Sequence, residues 1–151
     1  MALLLQYRGA LYRRAHESVA SILEGLLQDF MASGTYRMVC DINEGDCLDF
    51  AEIGVEKLRA VDHDAEFRHS AWLEEVVARK FFKVDPDDLD WDWEVQNLDF
   101  KYSLPVHAWI ELDGKVYDAE AIDGRDHWYE LPLFQRFFKK RPKFKSVYGV
   151  P

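Results

Sequence analysis

Cys47 stands in Gly45-Asp46-Cys47-Leu48-Asp49-Phe50-Ala51, where a tight turn gives way to the first turn of a helix. Amide dipoles at a helix N-terminus present roughly half a positive charge, which favours thiolate over thiol and suits a nucleophile. Glu44, Asp46 and Asp49 crowd the same turn and act in the opposite sense. Activation therefore needs a cationic partner such as a histidine. Without one, a buried thiol is an inert core residue.

His107 supplies a candidate partner, in Leu104-Pro105-Val106-His107-Ala108-Trp109-Ile110-Glu111-Leu112. Asp113-Gly114 separates this run from a second one over Lys115–Ile122, a strong hairpin signal. A two-residue turn sets Leu112 opposite Lys115, Trp109 opposite Asp118 and His107 opposite Glu120. All of His107, Trp109, Asp118 and Glu120 then project from one face. A carboxylate beside an imidazole fixes its tautomer and stabilises its protonated form, while the other ring nitrogen faces a nucleophile. Asp118 on the diagonal and Glu120 directly opposite both qualify, because a bulge or longer loop would move the register. Asp118 is preferred: Val116, Tyr117 and Ala119 place it inside the strand, where a carboxylate has little reason to stand unless paired. Trp109, beside His107, would shape a substrate cleft.

The surrounding elements must bring these groups together. Leu11, Ala15, Val19, Ile22, Leu23, Leu26, Leu27 and Phe30 recur at helical spacing and predict an amphipathic helix over about 10–32, stopped by Ser33-Gly34. Tyr36, Met38, Cys40 and Ile42 alternate and predict an extended segment, ended by a turn at Asn43-Glu44-Gly45-Asp46. A second helix is expected over about 47–61, with Asp46 as N-cap and Phe50, Gly54, Leu58 and Val61 on its inner face. A third is expected from near Ser70 to Val84, ended by Asp85-Pro86. Trp91, Trp93 and Val95 alternate with acids, so the sheet is expected over about 90–122. Pro132 suits a first helical position and opens a last helix towards Lys140. Helices first and antiparallel strands later predict an α+β fold.

Gly45-Asp46-Cys47 heading a helix, His107-Ala108-Trp109 in a strand and Tyr117-Asp118-Ala119 in the next resemble the transglutaminase-like branch of the papain-like cysteine enzyme superfamily. The resemblance covers roughly residues 40–134 and rests on three short motifs in the right order and element type. It implies a cysteine-headed helix packed on an antiparallel sheet, a Cys47, His107 and Asp118 triad, and an acyl-thioester intermediate passed to water or to an amine. Peptidases, amidases, deamidases and cross-linkers share this chemistry. The pattern departs from such enzymes at one point. An oxyanion-stabilising amide commonly precedes the cysteine, and six positions before Cys47 stands Asp41, which cannot donate when ionised. Asn43 is the nearest substitute, and the backbone N–H of Cys47 can supply a second donor.

Composition bounds the alternatives. A chain of 151 residues, 48% hydrophobic and 15% aromatic, is expected to form a single domain, 1–151. No apolar run approaches the roughly 20 residues that span a bilayer. The opening Met1–Leu5 is followed, not preceded, by arginines, so no secretory signal is read there. Two cysteines are too few for a disulfide framework, and a reducing cytoplasm is the expected compartment. The net charge is −9, while residues 134–151 carry six cations and no acid, so residues 1–133 carry −15. That acidic body argues against nucleic acid as the main partner. The basic aromatic segment, with Phe134, Phe137, Phe138 and Phe144, is expected to pack against the body.

Asp85–Asp92 lack the glycine and terminal glutamate of a calcium loop, and His63 and His69 lie six apart, so neither a metal nor a cofactor is expected. The expected partner is a peptide or protein substrate. The rival reading is a protein-binding module that keeps the fold with little or no turnover. An amidase acting on cell-wall peptides is a third, needing delivery outside the cytoplasm.

Overall fold

Burial of alternating residues from a short hairpin against helices on both sides organises this chain. The structure, a computed structural model, describes residues 18–82 and 101–151. In chain order the elements are α1 (Val19–Ala32), α2 (Val39–Gly45), α3 (Cys47–Arg59), β1 (Glu66–His69), α4 (Ser70–Phe82), β2 (Ala108–Leu112), β3 (Lys115–Tyr117), a 3-10 turn (Trp128–Glu130), α5 (Pro132–Lys140) and α6 (Phe144–Val147). The three strands form an antiparallel sheet in the order β1-β2-β3. The architecture is α+β.

The hairpin has the register that its Asp-Gly turn dictates: Leu112 faces Lys115 and Ile110 faces Tyr117. Asp113 and Gly114 both take positive φ, 51° and 75°, as a two-residue turn with the strands' own twist requires. Ala108, Ile110, Leu112 and Tyr117 enter one core with Leu23, Leu26, Ile42, Phe50 and Leu58. Trp109 and Val116 enter a second core with Leu131, Phe134 and Phe138. The sheet is thus covered on both faces, by α1–α3 on one and by α5 on the other. Each fully buried Leu, Ile or Phe contributes roughly 1.5–3 kcal/mol, so these clusters fix how the helices sit.

Gly54 shows how closely α3 approaches the sheet: a Cβ built there would lie 2.5 Å from Ile110 Cδ1. A side chain there would have to push the tip of Ile110 aside and would touch Leu23 and Leu26 of α1. This contact sets the distance between the start of α3, which is Cys47, and the start of β2, which follows His107.

Several expected elements differ. The first helix begins at Val19, with Ser18 as N-cap accepting from the Ser21 amide at 3.1 Å; residues 10–17 lie outside the described residues. The segment read as extended is instead helix α2. Asp41 Oδ2 accepts from the amides of Arg37 (3.0 Å) and Met38 (2.9 Å), which frees the chain to coil, and Ile42 and Asn43 are its buried residues. The turn expected over 43–46 shrinks to Asp46 alone, between two helices. Asp46 occupies the N-cap position but makes no capping bond; its carboxylate accepts from Tyr36 Oη, which pushes that phenol up to about 12.

The sheet gains an unexpected strand, β1, contributed from before α4 and paired to β2 from Glu66 with Glu111 to His69 with Ala108. The strand expected around Trp91–Val95, the helix end at Asp85-Pro86 and the acidic loop lie outside the described residues. β3 stops at Tyr117, five residues before the expected Ile122. The last main helix spans Pro132–Lys140 with Pro132 in its first turn, as read from sequence, and buries Phe134 and Phe138.

Candidate active site

His107 lies just ahead of β2 and is fully buried. Its backbone is tied to the start of α4: the Ser70 amide donates to its carbonyl at 2.9 Å and its own amide donates to Ser70 Oγ at 3.1 Å. Trp109 lies under the imidazole at 6.1 Å with planes 28° apart, and Phe134 of α5 meets its edge at 5.5 Å. The ring can neither slide nor turn without breaking these contacts.

Nε2 of His107 pairs with Asp118 Oδ2 at 2.9 Å, both groups being sealed from solvent. The other oxygen, Oδ1, accepts from the amides of Glu120 and Ala121, each at 2.9 Å. Those two bonds turn the chain out of the strand immediately after Tyr117. Glu120 is therefore never carried opposite His107, and the choice between the two carboxylates falls to Asp118.

Nδ1 of His107 is buried with no hydrogen-bond partner. Cys47, at the head of α3 and itself buried, is the neighbouring thiol. Burial pushes the Cys47 thiol up, but His107 beside it and the amides of Ala108 and Leu48 outweigh burial and hold it below the ordinary thiol value. Burial likewise pulls His107 down, while Asp118 and Cys47 outweigh it and hold the imidazole above its ordinary value. Both shifts move the balance of the shared proton from sulfur towards the ring. Glu44, Asp46 and Asp49, expected to oppose ionisation, are not among the groups that move the thiol.

Glu120 has a different task from the one its position suggested. Its Oε1 and Oε2 accept from the two guanidinium nitrogens of Arg136 at 2.8 and 2.9 Å, and Oε2 also accepts from Asn43 Nδ2 at 2.9 Å. Burial pushes its carboxyl up, but Arg136 and Asn43 outweigh this and hold it below the usual range. One carboxylate thus joins α2, the loop after β3 and α5. Asn43, offered as an oxyanion donor, spends one N–H on this carboxylate and keeps the second. Replacing Glu120 by alanine leaves the Asn43 amide and the Arg136 guanidinium without their acceptor. We expect a loss of about 1–3 kcal/mol, read as an earlier midpoint in urea unfolding.

Two cavities flank the site. Trp109, expected to shape the cleft beside His107, is 3% exposed and lines a separate cavity of about 370 Å³ with Trp72 and Trp128. A groove of about 490 Å³ borders the segments that precede Cys47 and His107 instead, between Asn43, Val106 and α5. The sequence had offered neither Val106 nor Arg136. His127 stacks on Tyr129 with ring centroids 5.0 Å apart. Among the described residues no cluster of three metal-ligating side chains occurs, and no helix is long and apolar enough to cross a membrane.

Comparison with protein-family models, curated proteins and solved structures returns no match.

Proposed function

We propose that the protein is a cysteine-nucleophile hydrolase or acyltransferase of transglutaminase-like type, acting on a peptide or amide carbonyl. The observation that carries this reading is the buried His107–Asp118 pair at 2.9 Å, with the opposite ring nitrogen unpartnered beside a thiol of lowered pKa. In the reaction the Cys47 thiolate attacks the carbonyl carbon, and the imidazolium gives its proton to the departing amine. A water or an acceptor amine then attacks the thioester, losing its proton to His107 as the thiolate leaves. Asp118 holds the ring through Nε2, so that Nδ1 does this work. The Cys47 amide and the second N–H of Asn43 are the donors closest in sequence for the oxyanion. Two free cysteines suit a reducing compartment, and we assign the enzyme to the cytoplasm.

Labelling with iodoacetamide, followed by intact mass and peptide mapping, tests the activation. Only thiolate reacts, and a lowered pKa preserves thiolate as pH falls. Cys47 should therefore label faster than Cys40, and its rate should persist well below the ordinary thiol pKa of about 8.5. His107→Ala should slow Cys47 by about tenfold at pH 6.5. Equal rates at both cysteines, unmoved by that substitution, would reject the nucleophile.

A second reading has one observation in its favour. Asn43 Nδ2 is bonded to Glu120 rather than held free for an oxyanion, which suits a binding module that no longer turns over. Cys47→Ala separates the two: a binding module keeps its whole cellular effect without the sulfur, and an enzyme loses it.

A further inference from the structure

We infer that the groove beside α5 receives the acyl side of an extended peptide, taking a bulky apolar side chain with an acidic residue next to it. This inference rests on Cys47 being the nucleophile and adds what that nucleophile is offered.

The placement comes from three chain segments. Asn43 and Glu44 line the groove one helical turn before Cys47, Pro105 and Val106 line it immediately before His107, and Arg136 is bonded to Glu120, two residues after Asp118. The segments just before Cys47 and His107 thus each supply a wall, and α5, tied through Arg136 to Glu120, supplies the third. The groove therefore runs beside the segments that carry Cys47 and His107.

The chemistry comes from α5. Phe134 and Phe138 turn inward, with Phe134 against the His107 ring, whereas Leu133, Arg136, Phe137 and Lys140 follow the i, i+3, i+4, i+7 spacing of a single face and look into the groove. Leu133, Phe137 and Val106 form its apolar floor. Val106 is 74% exposed, a large apolar surface left to water at the edge of a buried site.

The two cations differ. Arg136 is neutralised by Glu120, but Lys140 makes no ion pair among the described residues. Glu44, the one acid of the groove, acts on Arg136, which lies a full helical turn before Lys140. Among the described residues Lys140 therefore offers a positive charge without an ion-pair partner at one end of an apolar groove. The remainder of the chain is strongly acidic, with −15 before residue 134. That body repels an acidic peptide as a whole, so the attraction at Lys140 acts locally, on the one acidic side chain beside it.

The probe is a set of acetyl-dipeptidyl chloromethyl ketones, Glu-Leu, Lys-Leu and Glu-Gly, with labelling of Cys47 followed by intact mass. The sulfur displaces chloride from the methylene carbon, forming one C–S bond as one C–Cl bond breaks. Glu-Leu should label about tenfold faster than Glu-Gly, from the apolar floor. It should label roughly threefold faster than Lys-Leu, from the exposed lysine. Lys140→Glu should invert the second preference, and Val106→Asp should erase the first. Iodoacetamide, too small to need the groove, is run alongside on the unaltered protein. Rapid labelling of Cys47 by iodoacetamide with equal rates for all three ketones would overturn the groove assignment alone. Iodoacetamide labelling no faster at Cys47 than at Cys40 would overturn the nucleophile, and this inference with it.

Discussion

Cys47→Ala is expected to lower turnover of a p-nitrophenyl acyl ester by about 10⁴-fold or more while leaving the thermal midpoint nearly where it was. The sulfur sits at the head of α3 with 9% exposure, and alanine keeps the helix start and removes one atom's packing. His107→Ala should cost turnover comparably, for a different reason. The thiol then loses the group that outweighs its burial, and the water that attacks the thioester loses its base. Because the two groups act as one unit, the double variant should be no slower than either single one. Its melting should follow His107→Ala, which strands Asp118 in the core without its partner. Additive losses in turnover would mean that Cys47 and His107 do not share a step.

Asp118 should give the largest loss of stability. Asp118→Ala removes the bond to His107 and both amide bonds that end β3, all in a site 1% exposed, and a cost of about 3–5 kcal/mol is expected in urea unfolding. Asp118→Asn separates the two roles. Its carbonyl oxygen still accepts from Glu120 and Ala121, so most of the stability should return. Its NH₂ donates to Nε2, forcing the ring proton onto Nδ1, where the thiol needs an acceptor. Turnover should then stay down by about 10⁴-fold although the fold is restored. Recovery of both together would show that the carboxylate only caps the strand.

What could be read from the sequence was what neighbouring residues decide among themselves. Asp113-Gly114 demands positive φ twice and so sets the register of both strands, and Pro132 fixes the start of a helix whose inner face is Phe134 and Phe138. Four apolar residues in alternation could not distinguish a strand from helix α2, because Asp41 settles the matter by catching two amides upstream of it. β1 is only Glu66–His69, and what makes it a strand is a partner some forty residues later. The pairing of His107 with a carboxylate of the next strand was legible except for which carboxylate it would be. Asp118 prevails over Glu120 because it ends the strand that would have carried Glu120 into place, and Glu120 is engaged by Arg136, a residue that no local pattern connects to it.

Asp118 thus answers to two constraints, and they bear on how such a chain drifts over generations. A lineage that no longer needed turnover would be free to replace Cys47 at little cost to folding. It would be held to aspartate or asparagine at 118 by the two amides alone. Among descendants of this chain, retention of Asp118 is therefore poor testimony to activity, and the informative position is the cysteine.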